Sequence, residues 1–146
     1  MNTAIQNFIN CKRIAIAGAS RSGNKFGNAA HKELKTRGCE VFLIHPEANE
    51  IDGEPCYPNL AALHGKVDGV LVSLPASQAG TVLREAAGIG LRNVWLQQGA
   101  ETDELLALGR DLELDLVSGK CILMYAQPVQ GFHRWHRVFA KLTRQL

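Results

Sequence analysis

Apolar residues come in short, nearly unbroken runs at 13–17, 41–44, 69–74, 93–96 and 115–117, mostly β-branched or aliphatic and each too short for a helix. A strand with one wet face would alternate apolar with polar positions. Runs without alternation imply strands buried on both faces, as in a parallel sheet covered by helices. Parallel neighbours need long crossovers. The segments 28–37, 77–89 and 102–112 supply them: each carries apolar residues at helical spacing, and Gly38 and Gly90 stand just after the first two as terminators. The pattern predicts an α/β, Rossmann-like, doubly wound five-stranded parallel sheet with helices on both faces and strand order 3-2-1-4-5. The stretch 47–66, rich in Pro, Gly and Asn, reads as irregular, with only a short helix near Leu60. An extra helix stands at each end. Ile5, Phe8 and Ile9 give the first an apolar face, and Phe132, Trp135, Phe139 and Leu142 mark a stripe on the last, opposite Arg134, Arg137, Lys141 and Arg144. No repeat, linker or low-complexity tract divides the 146 residues, so one domain is expected.

Composition narrows the partners. Hydrophobic residues make up 46% and charged ones 21%, an ordinary packed protein, and the net charge of +2 is too weak for a phosphate-tracking surface. Nucleic acid is therefore set aside, while small anions remain. The first ten residues lack the basic and apolar regions of a signal peptide, and no stretch approaches a membrane span, so the expectation is a cytoplasmic protein without a membrane partner. Cys11, Cys39, Cys56 and Cys121 form no C-x-x-C pair and read as reduced thiols rather than a disulfide frame or zinc site.

In an open parallel sheet, ligands bind beyond the carboxyl ends of the strands where the order reverses. With the expected order that crevice lies between strands 13–17 and 93–96. The loops aimed at it are 18–27 and 97–101, with His45-Pro46 and Leu74-Pro75 nearby. The first runs Gly18-Ala19-Ser20-Arg21-Ser22-Gly23-Asn24-Lys25-Phe26-Gly27 and then enters a helix. A glycine lets backbone approach a phosphate, helix-start amides face it, and Ser20, Arg21 and Lys25 add donors and charge. It departs from the dinucleotide fingerprint: Ser20 stands where the second glycine belongs, and the loop is longer. The second strand ends in His45-Pro46 rather than the acid that takes an NAD ribose, which disfavours NAD. There is no Walker loop. Gln97 and Gly99 follow the fourth strand, where polar groups and a glycine can meet a ligand, whereas Trp95 between Val94 and Leu96 reads as core.

Gly18-Ala19-Ser20, Lys25-Phe26-Gly27-Asn28, Ile51-Asp52-Gly53-Glu54-Pro55-Cys56-Tyr57-Pro58 and Val94-Trp95-Leu96-Gln97, in that order, resemble the stand-alone coenzyme A-binding proteins, small bacterial relatives of the nucleotide-binding domain of succinyl-CoA synthetase. The resemblance runs from about Lys12 to Val117. It implies a Rossmann-like fold with coenzyme A as the bound cofactor, its pyrophosphate at Gly18, Ala19 and Ser20 and the following helix. Ser20, Arg21, Lys25 and Gly27 would hold phosphates, His45 and Pro46 would flank the adenosine, and Leu74 and Pro75 would line the adenine side. The family more often has Asn-Pro where this chain has His45-Pro46, which touches the ribose contact. The larger synthetases catalyse with a phosphorylated histidine in a domain that this sequence does not contain. The resemblance thus implies binding of CoA or acyl-CoA without catalysis, with a protein partner or a second copy of the chain left open.

The residues allow three other readings. Cys56 or Cys121 could serve as nucleophile with His31, His45, His133 or His136 as base, making an enzyme for an acyl-CoA or nucleotide substrate, although free cysteines are commonly small buried hydrophobes. His133 and His136 share one side of a helix, but with Cys121 they name only three ligands, and no metal is expected. The basic face of the last helix could dock a partner, giving an interaction module with a vestigial nucleotide site.

Overall fold

The computed structural model describes residues 3–125. The five apolar runs become β1 (Arg13–Ala17), β2 (Glu40–Ile44), β5 (Gly69–Val72), β6 (Asn93–Gln97) and β7 (Asp115–Lys120), all parallel. Two further strands, β3 (Glu50–Ile51) and β4 (Glu54–Tyr57), bring the sheet to seven in the order β3-β4-β2-β1-β5-β6-β7. Only β3 runs antiparallel, paired with β4 across a hairpin. The crossovers are α2 (Phe26–Thr36), α3 (Ala76–Gly88) and α4 (Asp103–Asp111), with α1 (Thr3–Ile9) and α5 (Ile122–Tyr125) at the ends and a 3-10 turn at Leu60–Leu63. The expected C-terminal helix, with Phe132, Trp135, His133 and His136, lies outside the described residues.

Alternate residues of each strand feed two cores. Ala15, Ala17, Val70, Val72, Val94 and Leu96 face α3, α4 and the 3-10 turn. Ile14, Ile16, Leu43, Leu71, Trp95 and Val117 face α1 and α2. Burial on both faces is why the runs lack alternation. Trp95 is fully buried, edge-on to Phe8 at 5.3 Å between ring centroids, and donates its indole N–H to the Lys120 carbonyl at 3.0 Å. Among the described residues no helix is long and apolar enough to cross a membrane.

Two expectations are corrected. Among the described residues the sheet has seven strands rather than five, and the run beginning at Gly69 pairs with β1 on the side away from β2. The third place, beside β2, belongs to β4, from the stretch read as irregular; its Cys56 and Tyr57 pair in parallel with Leu43 and Ile44. Counting β4 as the third parallel strand restores the doubly wound order 3-2-1-4-5-6. An ion pair helps seat β5 against β1. Arg13 places its guanidinium 2.8 Å from the Asp68 carboxylate, which also accepts the Arg13 backbone N–H at 3.1 Å.

Candidate functional site

The order reverses between β1 and β5, so the crevice opens there rather than between β1 and β6, as the sequence had suggested. Its volume is about 750 Å³, inside the range of roughly 300–1,000 Å³ usual for small-molecule sites. Gly18, Ala19, Ser20 and Lys25 line it from the β1 side, and Ser73, Leu74 and Pro75 from the β5 side. His45, Pro46 and Glu47 form one rim with Pro58 and Asn59, and α3 forms the far wall. Most of the expected residues therefore meet. Arg21, Phe26, Gly27, Gln97 and Gly99 do not line the crevice.

Each exception has a local cause. Gln97 and Gly99 end β6, one strand beyond the reversal. The Gln97 side chain is buried and accepts the Ile122 N–H at 3.1 Å, holding the start of α5, and the Gly99 N–H donates to Glu101 at 2.9 Å. Phe26, the first residue of α2, packs half-buried against the core, and Arg21 is exposed on the loop. Gly27 serves packing: a Cβ there would stand 2.5 Å from the Ala19 nitrogen and the Gly18 carbonyl carbon, so only glycine lets α2 press on the turn. Gly18 is tighter still, with φ +136° and a virtual Cβ 2.3 Å from the Ser73 carbonyl oxygen, which draws the ends of β1 and β5 together. These two glycines match the first and third roles of the dinucleotide fingerprint, tight turn and helix packing.

The loop itself is heavily bonded. Ser20 shares a hydrogen bond with Ser22 at 2.7 Å, and Ser22 donates to Asn24 at 2.6 Å. Asn28, buried on α2, accepts the backbone N–H groups of Ser20 at 2.9 Å and Lys25 at 3.3 Å. The His45 ring is also committed: Nδ1 accepts the N–H groups of Glu47 at 3.0 Å and Ala48 at 2.9 Å. That is the bond pattern of an asparagine in an Asx turn, made here by the imidazole. With Nδ1 accepting, the ring proton is carried on Nε2.

Polar residues of the far wall escaped the sequence reading, although their spacing was there to find. Ser77, Thr81 and Glu85 recur every fourth position on α3, opposite buried Ala79, Leu83 and Ala86. Glu85 also accepts the Leu60 N–H at 3.2 Å and so ties α3 to the 3-10 turn. Among the described residues the lining holds one permanent cation, Lys25, with Glu47 and Glu85 as carboxylates. Positive potential comes also from the starts of α2 and α3, which border the crevice; α3 has no side-chain cap, and at α2 the Asn28 side chain takes the Lys25 N–H. A phosphate-bearing ligand fits the β1 side better than the acidic far wall. None of the cysteines lines the crevice. Burial, with Glu50 adding to it, pushes the Cys56 thiol up, and burial pushes the Cys11 thiol up to about 12. A raised thiol carries less of the thiolate, the form that attacks. Among the described residues no group of three or more His, Cys, Asp or Glu could hold a metal.

Residues 12–127 match the family described as CoA binding domain. The ADP-forming acetate–CoA ligase I of Archaeoglobus fulgidus is 25% identical over 123 residues, which are 77% of this chain and 18% of the ligase. The subunit alpha of ADP-forming acetate–CoA ligase II of Pyrococcus furiosus is 24% identical over 79% of this chain and 28% of that subunit. The chain thus spans less than a third of the length of either relative. Among solved structures, a conserved hypothetical protein from Pyrococcus furiosus superposes with a TM-score of 0.72 at 32% identity, over 76% of this chain and 96% of its own. A dinucleotide-forming acetyl-coenzyme A synthetase from Ca. Korarchaeum cryptofilum shares the fold over 77% of this chain and 27% of its own, with a TM-score of 0.66 at 24% identity.

Proposed function

This chain belongs to the CoA-binding domain family, and from that premise we propose that it binds coenzyme A or an acyl-CoA in the crevice between β1 and β5, without catalysis of its own. One observation carries the reading. The strand order reverses where Gly18, Ser20 and Lys25 and the starts of two helices converge on a cleft of about 750 Å³. The pyrophosphate lies against Ser20 and Lys25, the adenosine against His45, Pro46 and Leu74, and the pantetheine arm runs out over the carboxyl edge of the sheet. Coenzyme A supplies the thiol that carries an acyl group. The chain's own residues bind and orient it. Binding alone is favoured because none of the four cysteines lines the cleft.

Isothermal titration with coenzyme A, against NAD, ATP and dephospho-coenzyme A, tests the proposal on wild type and Lys25→Ala. Saturable binding that prefers coenzyme A is expected, weakened roughly 3- to 10-fold in the variant, as for one charge-assisted bond partly screened by solvent. No binding of any of the four overturns it. A second reading, in which the domain presents the ligand to a separate catalytic chain, draws on the Pyrococcus furiosus relative, itself one subunit of a ligase.

A further inference from the structure

The residue with the most complete set of bonds around the loop is one that touches no part of the crevice. Asn28 is 1% exposed. Its Oδ1 accepts from Ser20 and Lys25, and its Nδ2 donates to the Ser20 carbonyl at 3.0 Å and to the Asp52 carboxylate at 3.1 Å. Both amide protons and both lone pairs are used. Ser20 is gripped at its N–H and its C=O, and Lys25 at its N–H. Of the residues from 20 to 25, only these two line the crevice; those between them do not. Asn28 therefore holds the two points at which the loop meets the site.

An asparagine amide can turn over, and the loop bonds already favour one way: two N–H groups meet Oδ1 and one carbonyl meets Nδ2. Asp52 strengthens that choice. A carboxylate only accepts, so it holds Nδ2 on its side and keeps Oδ1 for the two loop N–H groups. The reversed amide would set Nδ2 against two donors and Oδ1 against a charged acceptor. Asp52 is in turn held by its hairpin. Asp52 and Gly53 have φ of +51° and +79°, positive at both central residues as a tight two-residue hairpin loop requires. An ion pair between Lys35 and Glu54 fastens the same hairpin to α2, two turns along from Asn28. Asn28 and Lys35, on one stripe of α2, make these two contacts.

We infer that Asn28 is the positioning residue of the phosphate-binding loop and that Asp52, on the β3–β4 hairpin outside the crevice, is the latch that holds it in place. The inference rests on the proposed ligand for its affinity arm alone; the loop arm stands without it. Ligand affinity at the crevice then depends on a hairpin that the ligand never touches, and whatever loosens the hairpin frees Ser20 and Lys25.

Asp52→Gly tests this, since glycine keeps the positive φ and removes only the carboxylate. Asp52→Asn, whose oxygen still accepts and which tolerates the same backbone, is the rescue. Amide hydrogen exchange is read in the unliganded protein, and coenzyme A is titrated into each variant. In Asp52→Gly, exchange at Ser20 and Lys25 is expected to rise at least about tenfold, the loss of one bond to a charged acceptor. Amides within β1 and α2 keep their rates, affinity falls roughly 3- to 10-fold, and Asp52→Asn stays near wild type in both. Unchanged exchange at both amides overturns the inference. So does faster exchange throughout β1 and α2, which would make Asp52 a support of the fold at large, and so does a loosened loop with unchanged affinity. If wild type binds no coenzyme A but exchange at the two amides rises as expected, the latch stands and the ligand reading falls.

Discussion

Gly18→Ala is the sharpest perturbation this fold offers. The new Cβ would lie 2.3 Å from the Ser73 carbonyl oxygen and 3.0 Å from its carbon, at least an ångström closer to that oxygen than the 3.4 Å of ordinary contact. Both neighbours are backbone at the end of β5, so no side chain can swing away. The residue would also keep φ near +136°, a region L side chains rarely adopt. Backbone strain of about 1–3 kcal/mol and overpacking of about 1–3 kcal/mol together predict a loss of roughly 2–6 kcal/mol. That is a large share of a stability of about 5–15 kcal/mol. Guanidinium unfolding followed by circular dichroism measures it, with Gly90→Ala as control: Gly90 has φ +74° but nothing within 4 Å of its virtual Cβ, so strain alone operates there. A loss under about 1 kcal/mol in Gly18→Ala, or one equal to the control's, would refute the reasoning. It would mean that the turn relaxes freely and that the close approach of β1 and β5 ends is not required.

His31 is buried with both ring nitrogens unbonded, and burial holds its pKa below the usual value of 6.5. Above that value the ring is neutral folded and unfolded; below it the unfolded chain takes up a proton that the folded chain resists, so stability falls with pH. Urea unfolding at two pH values on either side of 6.5 should show a smaller decline in His31→Leu than in wild type, and an equal decline counts against this. Asp68 is held below its usual 3.8 by the Arg13 bond, so its contribution is present above that value and lost as pH falls further; Asp68→Asn should flatten the acid limb of the same titration. The Cys11 thiol, pushed up to about 12, should resist iodoacetamide at pH 8 in the native protein, with a thiolate fraction of roughly one in ten thousand. Labelling of native Cys11 as fast as in the denatured chain would show that it is not buried in solution.

The sequence carried the strands because burial on both faces removes alternation, and it carried the helices because apolar spacing and following glycines mark them. It also carried the loop, since Gly18 and Ser20 stand directly after the first run. The Asp52-Gly53 pair is as local a signal as any, a two-residue hairpin turn between Ile51 and Glu54, yet Pro55 and the short flanking strands hide it among turn residues. The helical spacing of Ser77, Thr81 and Glu85 was likewise legible, but nothing in the spacing says which side of the sheet α3 covers.

By itself, then, the sequence determined a parallel, doubly covered sheet and a phosphate-suited turn after its first strand, because these follow from periodicity and from residues adjacent in the chain. Which strand lies across the crevice was decided only in three dimensions. The run beginning at Gly69 is apolar on both faces and would be buried equally well on either side of β1. What places it is the occupation of the other side by β2 with β4 beyond it, and the bond from Asp68 to Arg13 across 55 residues. The same holds for Asn28 and Asp52, which are 24 residues apart and meet only because the hairpin lies over α2. Side chains that act across such separations leave no period to read, so their partnership belongs to the tertiary structure alone.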